Sequence, residues 1–556
     1  MKIKLIKKIA PRFTGCIALC LLGMVSSTAA ELPSTAAELP STAAELPSST
    51  AATAVEDVQT EVLRFAIQNF AMDGATLLTA SELNTVVLPY TGQNKDFSDV
   101  QKALEAIEAL YLMRGYSAVH VLLPEQELTA GVVHFQIIEA RYGNILAKDN
   151  QFFSEANVLN AVPSLRTGNP PQAQQLAREL KLANENPARQ LNVVLKGGAK
   201  EDLVDASVLV KDTKPGVWTV NLDNTGTPET GRARLGVAYQ HANLLDKDQL
   251  GQIQMQISPE HVSRVKVVAG SYKIPLYQYG HSIEVFGAYS NVNSVVGGLA
   301  NFQGGGAILG TRYNVPLERI GEFDSHVSFG AAWLNFSKVQ LTNPPPITLY
   351  NPIVVTPLIV AYAMQGKVAQ GDLFAHAAFA LNLPLLGQGK SANFANYDQV
   401  NFTQPSAQHQ VLRFVSTYSV PVHKTWMARA ALTGQATTNQ LIQGEQIRLG
   451  GVDGVRGFAE GSEGGENGMK LNLEAFAPLF EQDKFNLRGL IFFDWGTAKS
   501  KANSATAISA LGFGLRSTFS EQYSVRLDAG RIVKAGNDPQ QKVGNWRLHA
   551  SMVATF

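Results

Sequence analysis

Residues 546–556 read WRLHASMVATF, and their side chains alternate between apolar and polar. In an extended strand, successive side chains point to opposite faces. The apolar face carries Trp546, Leu548, Ala550, Met552, Ala554 and Phe556, and the other carries Arg547, His549, Ser551 and Thr555. The stretch therefore predicts a strand with one apolar side and one wet side.

The same period of two recurs from Pro215 to the end of the chain. Sixteen such runs lie near 217–223, 231–240, 249–257, 262–273, 280–290, 302–313, 323–338, 354–367, 372–382, 407–420, 424–436, 467–477, 485–495, 506–518, 521–531 and 545–556. An even number suits a closed antiparallel barrel, which leaves no backbone edge exposed to lipid. A soluble β-sandwich also alternates, but charged inner faces on this many strands offer no dry core. We predict a 16-stranded antiparallel transmembrane β-barrel over residues 213–556, with its polar face around a watery lumen.

The N-terminus has the features of an exported protein. Five basic residues precede an apolar run at 16–25, and small residues follow it up to Ala30. This order predicts a secretory signal peptide at residues 1–30. The apolar run is too short for a membrane-spanning helix, which needs about 20 residues.

Composition excludes several classes of protein. Without residues 1–30 the chain keeps 41 basic and 46 acidic residues, and it loses Cys16 and Cys20, its two cysteines. A net charge of about −5 offers no basic face for nucleic acid. No apolar run approaches the length of a spanning helix, which argues against a helical membrane protein. Charged residues make up 17% of the chain, which is low for a large soluble enzyme.

Residues 28–50 repeat the unit STAAELP. A seven-residue period invites a coiled-coil interpretation, but a proline in every unit interrupts any helix. We predict a semi-extended, low-complexity linker over residues 31–61.

Two α+β domains are predicted between the linker and the barrel, at 62–141 and 142–212. The first has a strand at VLRFAI, a short helix at 81–87, a longer helix capped by Asp96 or Ser98, and strands at 118–123 and 132–138. The second has a helix in PQAQQLARELKLAN, with Pro171 in its first turn, and strands in RQLNVVLKGG and DLVDASVLVKD. Such open-edged modules bind extended polypeptides by strand addition.

Signals for metal or nucleotide chemistry are weak. His120 and His134 fall on two predicted strands, but no carboxylate or cysteine spacing accompanies them. The stretch LGQGKS at 386–391 lacks the earlier glycine of a phosphate loop, because Pro384 stands there. With no nucleophile motif either, we predict no metal, no cofactor and no enzymatic activity.

One glycine-rich loop carries residues that such loops usually lack. Residues 450–468 read GGVDGVRGFAEGSEGGENG and hold Arg456 and Phe458. In the predicted strand FNLRGLIFFDWG at 485–496, alternation turns Arg488, Phe492 and Asp494 toward the lumen. Our hypothesis is that the loop folds back into the barrel and that the Arg456 guanidinium binds the Asp494 carboxylate through two hydrogen bonds.

These residues also carry a family resemblance. Val455-Arg456-Gly457-Phe458 resembles the VRGF/Y loop signature of outer-membrane translocation and assembly barrels. The stretch GLIFFDWG, with Phe492, Asp494 and Gly496, is similar to the wall motif whose aspartate meets that arginine. We call these seven residues the loop-to-barrel lock.

The resemblance is closer to two-partner secretion transporters of the TpsB type, which export haemolysins and filamentous adhesins. It is carried by LYLMRGYSAVHVLLPEQELTAG (110–131), by Asn186-Pro187-Ala188-Arg189, by LDNTGTPETGRAR (222–234) and by the terminal Phe556. The repeat at 28–50 departs from the plug helix that is usual in this family.

The resemblance implies a bacterial outer-membrane protein with two polypeptide-transport-associated (POTRA) domains in the periplasm. It implies export of a TpsA-type partner exoprotein, of the haemolysin, adhesin or contact-toxin class, without nucleotide hydrolysis. Its surroundings would be outer-membrane lipid and the barrel-insertion machinery, with no nucleic acid. Two alternatives stay open: an outer-membrane protein assembly factor, and a passive porin, which would leave the two α+β domains unexplained.

Overall fold

The computed structural model describes residues 63–556, except 128–129, 228–229, 292–293, 297–299, 303–304, 342–346, 424 and 502–503. The predicted signal peptide, the linker at 31–61 and residue 62 therefore lie outside the described residues.

The first domain packs two helices on a small mixed sheet. Its elements are β1 Phe65–Ile67, β2 Asn69–Asp73, α1 Ala80–Val87, a 3₁₀ turn at Leu88–Tyr90, β3 Gly92–Lys95, α2 Phe97–Met113, β4 Val119–Leu122 and β5 Val132–Glu139. Helix α2 begins after Asp96, whose carboxylate accepts hydrogen bonds from the backbone amides of Ser98 and Asp99. Strand β5 is central, parallel to β2 and antiparallel to β4, so that β2 and β4 form the two edges.

The second domain repeats this arrangement. It comprises β6 Arg141–Lys148, α3 Glu155–Asn160, α4 Ala173–Ala183, β7 Arg189–Gly197 and β8 Leu203–Asp212, with the sheet order β6-β8-β7. The predicted place of Pro171 in the first turn of the helix is wrong, because α4 begins after Gln172. Gln172 forms a β-bridge with Tyr116, and the backbone amide of Ala173 donates to Gly115 O at 3.0 Å. These contacts with the first domain keep the chain extended past Pro171.

Sixteen antiparallel strands then close into a barrel, as the alternation predicts. In chain order, barrel strands 1 to 16 span Gly216–Asp223, Arg234–Leu244, Gln249–Ile257, Lys266–Leu276, His281–Ser290, Gly306–Pro316, Phe323–Phe336, Ile353–Val355 continued by Pro357–Val368, Gly371–Asn382, Gln410–His423, Trp426–Ala436, Asn467–Phe476 continued by Phe480–Gln482, Phe485–Lys499, Thr506–Phe519, Tyr523–Lys534 and Trp546–Thr555. Closure is made by strands 1 and 16, which pair from Thr219↔Thr555 to Asp223↔Ser551.

Four strands begin three or four residues later than predicted. Strands 2, 4, 6 and 10 start at Arg234, Lys266, Gly306 and Gln410 rather than near 231, 262, 302 and 407. For strand 2 the cause is Glu260, whose carboxylate accepts hydrogen bonds from the backbone amides of Arg232 and Ala233 at 2.9 and 3.1 Å. That contact takes these two amides out of the strand ladder.

The two faces of the barrel wall differ sharply. Large apolar side chains cover its outside, as Ile491 (63% exposed), Phe513 (57%) and Leu548 (57%) illustrate. On the inside, Arg488, Asp494 and His549 are buried. A continuous apolar belt around a closed barrel is the lipid-facing surface of a transmembrane β-barrel.

The N-terminal domains lie at one end of the barrel, where short turns join the strands. The opposite, far end carries longer connections. They contain helix α5 Ser391–Ala395 and the short strand pairs Ser294–Val296 with Ala300–Phe302, Val339–Leu341 with Ile347–Tyr350, and Ile447–Arg448 with Gly464–Gly465. Among the described residues, no helix combines the length and apolar character needed to cross a membrane.

A charge on the lipid-facing belt will destabilise the barrel. We expect Ile491→Lys to lower the free energy of unfolding by about 2–4 kcal/mol, because the ammonium would lie in hydrocarbon. Urea unfolding in lipid vesicles measures this. Ser551→Lys is the control, since Ser551 shares the lumenal face of barrel strand 16 with His549. Equal losses in the two variants would contradict the assignment of faces.

Candidate functional site

The connection between barrel strands 11 and 12 folds back into the barrel. Residues 437–466 form it at the far end, and its arms Ile447–Arg448 and Gly464–Gly465 pair with each other. The tip between the arms lies among the strands, since Leu449 and Val455 are fully buried and Phe458 is 1% exposed. A glycine-rich loop tip, built from successive turns, thus occupies part of the lumen.

Arg456 is held at this tip by the wall of the barrel. Its Nε donates to Asp494 Oδ2 at 2.7 Å, and its Nη2 donates to Asp494 Oδ1 at 2.8 Å. The backbone amide of Arg456 donates to Asp494 Oδ2 as well, at 3.0 Å. Both oxygens of one carboxylate are therefore used, and the guanidinium is fixed in direction as well as in position.

Two further side chains, those of Glu474 and Phe492, contact the Arg456 guanidinium. Nη1 donates to Glu474 Oε1 at 2.8 Å, and the guanidinium carbon lies 3.5 Å from the centroid of the Phe492 ring. An arginine stacked on an aromatic face gains attraction without a further acceptor. Arg456 is only 1% exposed. Removing one partner from such a buried pair typically costs about 3–5 kcal/mol, because the other charge is left uncompensated.

The charges continue along the lumen wall. Asp528 lies 3.6 Å from Arg456 Nη1, and its Oδ2 accepts from Arg526 Nε at 2.7 Å and from Arg516 Nη2 at 3.1 Å. Arg526 in turn donates to the loop, through Nη2 to Val452 O at 2.8 Å. The barrel wall therefore binds the loop from two sides: strands 12 and 13 contact Arg456, and strand 15 contacts Val452.

Neighbouring carboxylates keep Arg456 charged. Burial by itself lowers the pKa of this guanidinium. The hydrogen bonds to Asp494 and the attraction of Asp494, Glu474 and Asp528 outweigh burial and raise the pKa above its ordinary value. The guanidinium therefore keeps its charge, and the contact is released by competition from other groups or by movement of the loop.

Glycines let the loop backbone touch the barrel backbone. Gly457 has φ of +102°, and a Cβ there would lie 3.2 Å from Gly530 O. A Cβ on Gly530 would lie 2.7 Å from the carbonyl carbon of Arg456, closer than real Cβ contacts. The close approach of the two backbones thus depends on glycine at both positions, Gly457 in the loop and Gly530 in the wall.

An apolar cluster fixes the rest of the tip. Its buried members are Leu449, Val455, Phe458, Ala498, Ile508, Ala510 and Ile532. Gly496 lies beside this cluster, because a Cβ there would meet Leu449 and Val455 at 3.2 Å. Phe458 therefore packs against barrel strands 14 and 15, whereas Phe492 is the ring that contacts Arg456.

The structure brings all seven residues of the loop-to-barrel lock together, in two groups. Arg456, Asp494 and Phe492 form the polar group, and Val455, Phe458, Gly457 and Gly496 form the apolar and backbone group. Sequence reasoning missed Glu474, Asp528 and Asn472, whose Nδ2 donates to both Asp494 Oδ1 and Gly454 O at 2.7 Å. The alternation of apolar and polar residues in strands 12 and 15 puts all three on the polar face, which is the signal that the sequence offers for them.

No other cluster among the described residues competes as a chemical site. Within them, no three His, Cys, Asp or Glu side chains are arranged to hold a metal ion. His120 on β4 lies opposite Ile138, so it does not face His134 across the ladder. The lock holds ionic, aromatic and backbone contacts, which suit mechanical fastening of a loop.

Two family profiles and several curated proteins are similar to this chain. The family profile described as POTRA domain, ShlB-type, matches residues 65–140. The profile described as haemolysin secretion/activation protein ShlB/FhaC/HecB matches residues 356–517, the part that holds the lock. The heme/hemopexin transporter protein HuxB of Haemophilus influenzae is 21% identical over 498 residues, covering 86% of this chain and 85% of its own. The outer membrane transporter CdiB of Dickeya dadantii is 22% identical over 436 residues, covering 74% and 73%.

Solved structures have the same fold. CdiB from Escherichia coli superposes with a TM-score of 0.70 at 19% identity, covering 91% of this chain and 93% of its own. CdiB from Acinetobacter baumannii superposes with a TM-score of 0.63 at 14% identity, with the same coverage.

A POTRA domain followed by a closed barrel of sixteen strands defines an outer-membrane β-barrel transporter with its N-terminal domains in the periplasm. The chain is similar to the two-partner secretion transporters of the TpsB type, and these relatives support an outer-membrane translocator of a partner protein. The far end of the barrel is accordingly extracellular.

Adding a methyl group at Gly530 will push the loop off the wall. We expect Gly530→Ala to raise single-channel conductance in planar bilayers, because the new Cβ overlaps the Arg456 backbone and the displaced tip unblocks the lumen. Gly489→Ala is the matched control, since a Cβ on Gly489 meets nothing within 4 Å. Conductance that rises equally in both variants, or in neither, would contradict this account of the close approach.

Proposed function

We propose that this protein captures one unfolded partner exoprotein in the periplasm and passes it through the barrel to the cell surface. The loop-to-barrel lock closes the lumen at rest and releases it during transport. The single observation that carries the proposal is the loop that occupies the lumen, fastened by Arg456 to Asp494. A passive porin has no need of such a fastened loop or of two domains at its periplasmic mouth.

Capture rests on the open edges of the two POTRA-like domains. Strands β2 and β4 border the first sheet, and β6 and β7 border the second. These edges carry exposed apolar side chains, among them Leu122 on β4 (44% exposed), Leu146 on β6 (52%) and Leu195 on β7 (39%). Main-chain hydrogen bonds at an edge accept many sequences, and alternate apolar side chains add affinity.

Release of the lock proceeds by exchange of partners. Asp494, Glu474 and Asp528 face the same lumen through which an extended chain would pass. Polar groups of that chain would replace contacts of the guanidinium as the tip moves, and the contacts re-form after passage. Folding of the cargo outside the cell supplies direction, so no nucleotide hydrolysis and no catalysis is involved.

The same proposal assigns the outer surface and the C-terminus. The apolar belt that includes Ile491 and Phe513 would contact outer-membrane lipid. The terminal Phe556 would be a recognition point for the barrel-insertion machinery. Its carbonyl and amide pair with Trp218 on barrel strand 1, at 3.0 and 2.9 Å.

The cargo is identified by deletion. We expect one large protein to disappear from the culture medium when the chain is deleted and to return when it is restored, by mass spectrometry of the medium. Accumulation of other outer-membrane barrels in an unassembled state would instead favour an assembly factor.

Arg456→Ala will abolish or cripple export of that protein, because the loop loses its fixed position in the lumen. Immunoblotting of the culture medium measures export, and heat-dependent mobility on gels checks that the barrel is folded. Arg319→Ala is the control, since Arg319 is an exposed arginine in a periplasmic turn. Normal export by the Arg456 variant would refute the lock.

Removal of residues 62–140 will leave a folded barrel that no longer recognises cargo. The first domain has its own apolar core, which includes Ile67, Ile107 and Tyr111, so its loss leaves the rest of the chain packed. Pull-down of the exoprotein by the purified variant, compared with the full chain, measures recognition. Full binding and full export by the shortened chain would contradict the docking role.

A further inference from the structure

The core of the second POTRA-like domain continues into the barrel. Its buried apolar cluster includes Ala242 of barrel strand 2, and Leu250 of strand 3 and Tyr277 of the turn after strand 4 pack against it. The two units therefore share one core.

A buried arginine crosses this joint. Arg189, at the start of β7, is 1% exposed. Its Nη1 donates to Asp248 Oδ1 at 3.0 Å, and its Nη2 lies 2.7 Å from Asp248 Oδ2. Asp248 belongs to the periplasmic turn between barrel strands 2 and 3. Nη1 also donates to Asn157 of α3, and the guanidinium lies 5.1 Å from the centroid of the Phe153 ring.

Further contacts surround this ion pair. Tyr277 Oη donates to Asp248 Oδ2 at 2.6 Å, and Asn186 Nδ2 donates to Ala242 O at 2.8 Å. Ser154 Oγ donates to Asp246, which accepts from Asn243 Nδ2 at 2.9 Å as well. Two successive periplasmic turns of the barrel thus meet one face of the domain.

The backbone of the first turn is strained for its sequence. Leu245, Asp246 and Asp248 have φ of 58°, 53° and 58°, in the left-handed region where glycine is the usual residue. Asp246 and Asp248 are the two residues that bind Ser154 and Arg189. The turn therefore keeps an unfavourable backbone conformation at the two positions whose side chains fasten the domain.

This packing of the second domain on the barrel also brings the C-terminal end of α4 to the mouth of the lumen. Lys181 Nζ lies 2.8 Å from Asp324 Oδ1, and Lys273 Nζ lies 2.6 Å from Glu185 Oε2. Lys273 shares the inward face of barrel strand 4 with the buried Val267 and Ala269. The helix end therefore meets lumenal side chains of strands 4 and 7.

We propose that Arg189 is a positioning residue for transport: its ion pair with Asp248 fixes the second POTRA-like domain against the barrel, so that cargo held on that domain is delivered to the lumen mouth in one defined orientation. This inference rests on the proposed function. Its first test, however, needs no cargo and reads the joint alone.

That test measures the geometry of the joint in the purified chain in lipid nanodiscs. Spin labels are placed at Lys200→Cys, on the second domain, and Gln370→Cys, on a periplasmic turn. The only native cysteines, Cys16 and Cys20, lie in the predicted signal peptide. We expect a narrow distance distribution that broadens in Arg189→Met and stays narrow in Arg166→Met, an exposed arginine of the same domain. A narrow distribution in the Arg189 variant would overturn the proposal.

The second test separates positioning from any other role of Arg189. We expect Arg189→Met to reduce export of the exoprotein at least about tenfold, because it leaves Asp248 buried without its partner and so loosens the domain from the barrel. A disulfide between Ser154→Cys and Asp246→Cys, formed in the oxidising periplasm, is expected to restore export. The same variant with the single change Ser154→Cys is expected to stay defective.

Should Arg189→Met fail to insert, Asp248→Asn serves the same two measurements with a nearly isosteric change. Failure of the disulfide to restore export while the labels report a re-formed joint would overturn the positioning role. If the unmodified chain exports no protein, the proposed function fails, whereas the distance measurement still decides whether the joint exists.

Discussion

The arrangement of this transporter depends on the guanidinium of Arg456, which is buried inside the barrel. Arg456 is kept there by the two oxygens of Asp494, by Glu474 and by the Phe492 ring. A charge in such surroundings is tolerable when it is paired with an opposite charge and hydrogen-bonded. The loop must therefore lie in one position, and the lumen is narrowed by the same contacts that satisfy the charge.

The two largest fully buried side chains among the described residues are both arginines, Arg189 and Arg456. One lies at the periplasmic end of the barrel and the other inside it, and each joins a part that is not barrel to the barrel wall. Apolar packing would hold these parts as firmly, but it has less directional preference. Ionic contacts fix orientation and can be exchanged for other polar groups.

Much of the fold could be predicted because the membrane imposes a simple rule on each strand. Lipid on one side and water on the other force a period of two, so that Ile491 and Asp494 fall on opposite faces. The pairing of Arg456 with Asp494 could be anticipated because one wall segment and one loop carried unusual residues. Local helix signals also held, as the capping of α2 by Asp96 shows.

The remainder could not be predicted because alternation gives the face of a residue and not its height in the barrel. Glu474 and Asp528 reach Arg456 through the stagger of strands 12 and 15, which no single strand encodes. Arg516 and Arg526 lie directly opposite each other and look repulsive in sequence, until Asp528 is seen to accept from both. The late start of α4 likewise depends on a neighbouring domain.

The short ladder between barrel strands 1 and 16 has a consequence for biogenesis. Its partners, such as Thr219 and Thr555, are separated by almost the entire barrel sequence. Such distant pairings form slowly, because a very long segment must first be ordered. Until strand 16 meets strand 1 in the outer membrane, both strands have an unpaired edge that invites aggregation, so the polypeptide needs chaperoning along the whole barrel sequence rather than folding hairpin by hairpin.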